Sequence, residues 1–507
     1  MKIKLLATSD VHGYVSPYSY SDRKLCMQGL ARLSYHIASL RDKHTLLIDN
    51  GDSLQGSSLN YYHNLYEKDL MQPMAKALNY LNYDYYNLGN HDFNYGPDML
   101  HQYMRDVNAT CLTGNAFEYG QPLGKEYVIH RFNDSYSIAL IGVVTQHIPV
   151  WESAENIKNN TFENAFDYVK RTVEKIRKEE RVNGICVVYH GGHERHMETD
   201  EPTELLTNEN LGWKMCHEIE GIDVLICGHQ HRSYALFCNG VATLQPFENA
   251  KELGVIEWDL DTQEKTVKLI KADADIDEEL LKLIDEEEQR AQHWLDQPLG
   301  RLKEGNLLIQ DPTDARIHKH PLISFINQVQ LYYASEAQLS SQALFNESVG
   351  FNQEITMRDL VSTYVFSNTM KALRMSGKTL KEYLEKTAEY FDAEDGKVVV
   401  SRSFYDPKPL HFNYEMVSGL DYTIKASNPI GSRIVEMSYQ GKPVKETDSF
   451  VMVMSSYRSG GGGEFDMVKD CEVVQDIQKD MVDALAEYIL AHPILEVNHT
   501  ENIKVIV

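Results

Sequence analysis

The pattern of apolar and polar positions divides the chain into two textures. Through the first 271 residues, short β-rich runs (IKLLAT, HTLLID, DYYNLG, YSIALIGVV, GICVVYH, DVLICG) alternate with stretches such as GLARLSYHIASLRDK and FENAFDYVKRTVEKIRKEE. The latter carry apolar residues at helical spacing. Runs this uniformly apolar suit strands covered on both faces, so residues 1–271 are expected to form an α/β domain. Residues 272–300 (ADADIDEELLKLIDEEEQRAQHWLDQPLG) place Ile276, Leu280, Leu283, Ile284, Ala291 and Leu295 on one helical face and acidic residues on the other, with Pro298 and Gly300 as terminators. This segment reads as a solvated linker helix between two domains. Residues 301–507 mix helical stretches (TLKEYLEKTAEYF) with strand and turn signals (SRIVEMSYQGKPV, SFVMVMSSYRSGGGGEF), the texture of an α+β domain.

Length agrees with two domains: 507 residues exceed the roughly 250–300 at which a single core stops growing. At 42% hydrophobic and 24% charged, without low-complexity tracts, the composition is that of an ordinary globular protein. The net charge of −26 argues against a binder of long nucleic acid, which needs Lys and Arg to neutralise phosphates. A small phosphate substrate would need local attraction, from a metal ion or an aromatic platform. The opening MKIKLLATSDVHG has neither the length nor the cleavage site of a signal peptide, and no segment approaches the ~18 apolar residues of a membrane span. Seven scattered cysteines without CxxC spacing read as reduced thiols, so a cytoplasmic location is expected. Nothing in the sequence bears on oligomeric state.

Candidate chemistry gathers where strands end. Five strand candidates run straight into ligand-capable residues: Asp10 and His12 after LLATS, Asp52 in LLIDNGDS, Asn90 and His91 in YYNLGNHD, His190 closing CVVYH, and His229 and His231 in LICGHQH. In open α/β sheets, ligands collect outside the carboxyl ends of strands, so corners far apart in sequence can converge. Singly, each corner has a plain alternative as turn residue, helix cap or satisfied polar group. Together they supply carboxylate, amide and imidazole donors without thiolate, which suits Mn²⁺, Fe²⁺, Zn²⁺ or Co²⁺. Seven donors are too many for one ion. Two ions sharing a carboxylate, most simply Asp52, would use them all, in the arrangement that activates water and clamps an in-line phosphoryl displacement. Asp92 reads as structural, and the spacing of His193 and His196 in HGGHERH separates no role for them.

In this order, Asp-x-His, Gly-Asp, Gly-Asn-His-Asp, the His190 block and Gly-His-x-His resemble the five blocks of the calcineurin-like metallophosphoesterases. With YVFSNTMKALRMSGKTLKEYLE and SYRSGGGGEFDMVKD following, the whole chain resembles the two-domain 5′-nucleotidase family. The resemblance implies a four-layer β-sandwich flanked by helices, α/β in the first domain and α+β overall, followed by a smaller α+β substrate-binding domain over 301–507. It implies one ion on Asp10, His12, Asp52 and His231 and another on Asp52, Asn90, His190 and His229. It also implies a metal-bound hydroxide attacking phosphorus, with His91 stabilising the transition state.

The chain departs from 5′-nucleotidases in two places. Where they carry an aspartate three residues after the catalytic histidine, this chain has Asn94, and where they have a nucleotide-binding arginine it reads ALFNESVGFNQ, with Asn346. GNHxFNYG, DNGDSLQGS and GVVTQHIPVWE resemble instead the 2′,3′-cyclic-nucleotide 2′-phosphodiesterase/3′-nucleotidase branch. The resemblance further implies a base held between two aromatic rings, Tyr414 and either Tyr457 or Phe465, with the glycines 460–463 letting backbone approach the ligand. The expected substrate is a small nucleotide. A 5′-nucleotidase or nucleotide-sugar hydrolase is the alternative; a non-catalytic nucleotide sensor, whose mark would be a lost metal ligand, is a minor one, and no ligand is lost.

Overall fold

The computed structural model describes every residue of 1–507 except Leu205, Glu347, Ser367, Pro407, Lys408 and Gln478. It divides into two compact units, Met1–Gln292 and His293–Val507.

Twelve strands build the two large sheets of the first unit: β1 (Lys2–Thr8), β2 (Thr45–Asp49), β3 (Tyr85–Tyr86), β4 (Thr110–Cys111), β5 (Val128–Arg131), β6 (Ser137–Val144), β7 (Gly184–His190), β8 (Val224–Ile226), β9 (Tyr234–Cys238), β10 (Val241–Gln245), β11 (Glu252–Asp259) and β12 (Lys265–Lys271). One sheet runs β12-β11-β1-β2-β3-β4, the other β9-β10-β8-β7-β6-β5. All six strand candidates read from the sequence are strands. The alternation along them explains the layering, because successive side chains point to opposite faces. Ile138 and Leu140 of β6 join Leu5, Ile48, Val188, Ile226 and Trp258 in a core between the sheets. Ala139, Ile141 and Val143, one step out of phase, join the buried face of helix α1 (Ala165–Glu179) in a second core outside the β6–β7 sheet.

The pairing fixes where the functional residues emerge. β1, β2, β3 and β4 are mutually parallel, as are β6, β7, β8 and β10. Each sheet therefore delivers the carboxyl ends of its central strands to one edge.

The expected single helix over 272–300 is two helices, Glu278–Lys282 and Asp285–Leu295, and Pro298 opens a strand, Pro298–Leu302, instead of ending a helix. Much of the acidic face is engaged rather than solvated. Asp277 caps the first helix and accepts from Ser34, Glu288 accepts from Tyr20 Oη at 2.9 Å, Glu287 pairs with Lys76, and Arg290 pairs with Glu67. These contacts bind residues 277–290 to the first unit. A periodicity reading sees only that such residues are charged, and their partners lie more than 190 positions away.

The second unit is built on a five-stranded sheet. Its strands are β13 (Leu339–Ala343), β14 (Met370–Ser376), β15 (Glu415–Ser418), β16 (Ser449–Ser455) and β17 (Glu472–Ile477), in the order β15-β13-β16-β14-β17. The helix expected from TLKEYLEKTAEYF is Gly377–Ala388, capped by Ser376, whose hydroxyl accepts from Thr379 N. All seven cysteines are free thiols, and among the described residues no helix is long and apolar enough to cross a membrane.

Candidate functional site

All seven corner residues proposed as ligands meet at the edge to which the parallel strands lead. The turns after β1 and β2 are stitched together, Asp10 N donating to Gly51 O at 2.9 Å and His12 N to Asp52 O at 2.8 Å. Asn50 Nδ2 and Asn87 Nδ2 reach across to backbone carbonyls of Tyr189 (3.0 Å) and Val143 (2.8 Å), tying the two sheets where their strands end. Asp92 accepts from the backbone N–H groups of Asp52, Ser53, Leu54 and Gly89 at 2.8–3.0 Å and so locks the β2 corner to the β3 corner. That structural role is the one its sequence position suggested.

Two donor groups result. Oxygen or nitrogen atoms of Asp10, His12 and His231 lie within 4.8 Å of one another, as do those of Asp52, His190 and His229. His12 Nε2 and His231 Nε2 are 3.0 Å apart. Asn90 Oδ1 lies 2.8 Å from His229 Nδ1 and 3.2 Å from His190 Nε2, and Asp52 Oδ2 lies 3.2 Å from His190 Nε2 without a well-aligned hydrogen bond.

The far side of each ring decides which nitrogen faces the centre. His12 Nδ1–H donates to Gln55 O at 2.8 Å and His190 Nδ1–H to Asn50 O at 2.7 Å, so both Nε2 atoms face inward. His229 is turned round: its Nε2–H donates to Glu209 at 2.8 Å, so Nδ1 faces inward. Glu209, 20 residues before its partner, carries no local signature and escaped the sequence reading.

The residues fit a pair of divalent cations on three grounds. First, burial opposes a charged imidazole at His190, yet the Asp52 and Asp10 carboxylates outweigh it and lift its pKa to about 10, while His190 and His91 hold the buried Asp52 carboxyl well below its ordinary range. Two converging buried carboxylates favour positive charge at the centre of the pocket. Second, the floor is a cradle that only glycine leaves open: a Cβ on Gly89 would lie 2.1 Å from Asp52 Oδ1 and 2.6 Å from His190 Cε1. Third, five of the seven candidate ligands, Asp10, His12, Asp52, His229 and His231, have φ between 51° and 70°. Left-handed backbone is uncommon outside glycine and concentrates where structure is strained for function.

Beside the ligands, His91 Nδ1 is 2.8 Å from Asn94 Oδ1, and Asn94 Nδ2 donates in turn to Glu152, which also accepts from Ser153 N (2.7 Å) and Asn156 Nδ2 (2.9 Å). Burial pushes the Glu152 carboxyl up, opposed by these donors. The amide is thus oriented: its NH₂ must face the carboxylate, so its oxygen faces His91. Trp151 stacks on the His229 ring with centroids 5.4 Å apart. The GVVTQHIPVWE segment, which the sequence marked only by its resemblance to the cyclic phosphodiesterase branch, supplies both contacts.

In the second unit Tyr414 is fully buried, stacked on Tyr390 at 4.7 Å and edge-on to Phe391, and Phe465 is 1% exposed, packed under the Arg458 guanidinium and against Tyr383. Neither ring offers a base an open face, contrary to the expectation for Tyr414 and to the Phe465 alternative for the second ring. Tyr457 is half-buried, with half-buried Phe412 at 6.5 Å. The glycine run has a packing reason: Gly462 lies against the Tyr457 ring, where a Cβ would approach to 2.6 Å, and its carbonyl accepts from the buried Arg458, which also pairs with Glu415 at 2.8 Å.

Comparison with known proteins agrees with this geometry. Residues 3–233 match the calcineurin-like phosphoesterase family and residues 298–470 match the 5′-nucleotidase C-terminal domain. A Staphylococcus aureus crystal structure, provisionally called a 5′-nucleotidase and bound to alpha-ketoglutarate, superposes over the full length of both chains with TM-score 0.93 and 33% identity. The chain belongs to the two-domain 5′-nucleotidase family. Other members are phosphoester hydrolases of differing scope. The 2′,3′-cyclic-nucleotide 2′-phosphodiesterase/3′-nucleotidase of Haemophilus influenzae is 26% identical over 96% of this chain and 84% of its own. The trifunctional nucleotide phosphoesterase YfkN of Bacillus subtilis is 24% identical over 96% of this chain, which spans only 38% of YfkN's length.

Proposed function

We propose that this member of the 5′-nucleotidase family opens 2′,3′-cyclic nucleotides and then removes the remaining 3′-phosphate. Asp10, His12, Asp52 and His231 would hold one divalent ion and Asp52, Asn90, His190 and His229 the other. Mn²⁺, Zn²⁺, Fe²⁺ and Co²⁺ all suit these donors. Such ions, when bound, supply Lewis-acid charge on the phosphoryl oxygens and an activated water.

The chain's own residues do the rest. Asp52, in both ligand sets, fixes the spacing of the two halves, and its Oδ1 accepts from His91 N at 2.7 Å, so the same carboxylate seats the neighbouring histidine. His91, held at Nδ1 by Asn94, presents Nε2 to the phosphoryl group, where an N–H would stabilise charge developing on a non-bridging or leaving oxygen. Glu152 keeps the Asn94 amide from flipping and fixes the ring's angle. Tyr457, the candidate ring that is only half-buried, is assigned to the base.

The observation that carries the choice of substrate is the His91–Asn94–Glu152 relay. It replaces the direct histidine–aspartate pair of the 5′-nucleotidases, on a segment resembling the cyclic phosphodiesterase branch. The full-length likeness to the Staphylococcus aureus protein favours 5′-nucleotide hydrolysis as a second reading. Assaying the Mn²⁺-loaded protein in parallel on 2′,3′-cyclic AMP, 3′-AMP, 5′-AMP and UDP-glucose separates the two. Highest kcat/KM on the cyclic nucleotide and 3′-AMP is the expected result; a large preference for 5′-AMP overturns the choice of substrate and leaves the two-metal chemistry standing.

A further inference from the structure

The first unit holds another convergent group of donors, of different chemistry. His193 stands in the loop after β7, Cys216 on helix α2 (Gly212–Glu218), and Cys238 ends β9. One ring nitrogen and the two sulfurs lie within 4.8 Å of one another, and the three residues are 0%, 3% and 0% exposed. They sit in the apolar core outside the second sheet, among Met215, Cys227 and Val241.

Two features of this trio are unlike ordinary core packing. His193 Nε2 is engaged by Thr243 Oγ1 at 3.2 Å, but Nδ1 is buried and has no hydrogen-bond partner. Burying a polar atom without a partner is destabilising, so such orphans are rare in a folded core. Burial and the nearby Arg232 also push the His193 pKa down to about 3, so the ring is neutral, the form in which imidazole binds metals. The cysteines, for their part, act on each other: proximity to Cys238 pushes the Cys216 pKa up, and proximity to Cys216 lowers that of Cys238.

We propose that His193, Cys216 and Cys238 form a further metal site, which binds a thiophilic cation of the Zn²⁺ class. Two sulfurs and an imidazole select soft or borderline ions, in contrast to the oxygen and nitrogen donors at the strand ends. Binding displaces one proton from each thiol to solvent, and two thiolates neutralise a divalent ion, so the core gains no net charge. A Cys216–Cys238 disulfide would satisfy the sulfurs alone and leave His193 Nδ1 orphaned; a cation satisfies all three donors. Its effect would be to fasten α2 and the end of β9 to the loop that begins at His190.

Cobalt distinguishes this site from the other, because only a thiolate-bound Co²⁺ gives an intense near-ultraviolet sulfur-to-metal charge-transfer band. The full-length protein, reduced and stripped of metal, is titrated with Co²⁺ and then with Zn²⁺. The expected result is a band that saturates within three Co²⁺ per chain at the intensity of one thiolate-bound ion, is bleached by Zn²⁺, and is lost in Cys238→Ser, while the phosphoesterase activity of that variant with added Mn²⁺ is unchanged. Absence of the band in freshly reduced wild-type protein overturns the proposal. So does native protein whose mass after thiol alkylation shows Cys216 and Cys238 joined as a disulfide. Both measurements use the wild-type chain, so the outcome stands even if the serine variant does not fold.

Discussion

The strand-end corners of the first unit and the aromatic loop of the second were read from motifs of similar length, yet the structure treats them differently. In the corners, all seven proposed ligands converge, and the rings of His12, His190 and His229 are each held by a hydrogen bond on the far side. In the loop, two of the three proposed base-stacking rings are enclosed by their own unit's core. Ligand geometry is set locally, by which strand ends where, whereas an open ring face depends on which distant residues leave it uncovered. Tyr390, Phe391 and Tyr383 close off Tyr414 and Phe465, and nothing in the motifs announces them.

Substitutions can widen or collapse this contrast. The largest effect is expected from Gly89→Ala, whose methyl group would drive into Asp52 and His190. Elemental analysis should find the metal lost, with phosphoesterase activity falling below detection; retention of full metal content would show that the corner yields more than its geometry suggests. His91→Ala should keep the metals and lower kcat about 10²–10³-fold, the scale for one preorganised transition-state donor. In the second unit, Tyr414→Ala and Tyr457→Ala should part company. The first should destabilise the protein by roughly 3–5 kcal/mol, as for a buried aromatic, without changing KM in the folded fraction. The second should raise KM by a factor matching about 1–3 kcal/mol of lost stacking, with unfolding nearly unaltered. The opposite pattern would restore Tyr414 as the base platform.

Smaller effects test the supporting residues. Glu209→Gln keeps the shape but removes the charge that orients His229, and metal affinity measured by chelator competition should fall about 10–100-fold. Lys319 is buried with Ser418 Oγ and Asn502 Oδ1 as its partners, and burial lowers its pKa to about 8. The folded state therefore binds fewer protons than the unfolded state between pH 8 and the ordinary lysine range, so stability rises with pH across that window. Relative to Lys319→Met, wild-type unfolding free energy should increase by roughly 1–2 kcal/mol from pH 7.5 to 9.5 in denaturant titrations.

Much of the first unit was legible because strand content and ligand chemistry are written in the same short words: LLIDNGDS is both a buried strand and the turn that presents Asp52. What escaped was whatever depends on distance along the chain. Glu152 stands 58 residues from Asn94 and Glu209 20 from His229. Cys216 and Cys238 showed no ligand spacing, since β8 and the turn after it intervene. The acidic run at 285–288 offered no sign that Glu287 and Glu288 would be captured by Lys76 and Tyr20.

The left-handed backbone at Asp10, His12, Asp52, His229 and His231 also limits how this centre can vary. Asn, Asp and Gly enter that conformation at little cost, histidine somewhat less readily, and β-branched residues almost never. A mutational library at these five positions therefore draws on a restricted alphabet before metal chemistry is consulted at all. Asp-to-Asn exchanges keep the loop and change the charge, whereas Thr, Val or Ile would break the loop itself. Drift in metal preference should then proceed through the two positions outside the left-handed set, Asn90 and His190, where ordinary backbone leaves the choice of side chain open.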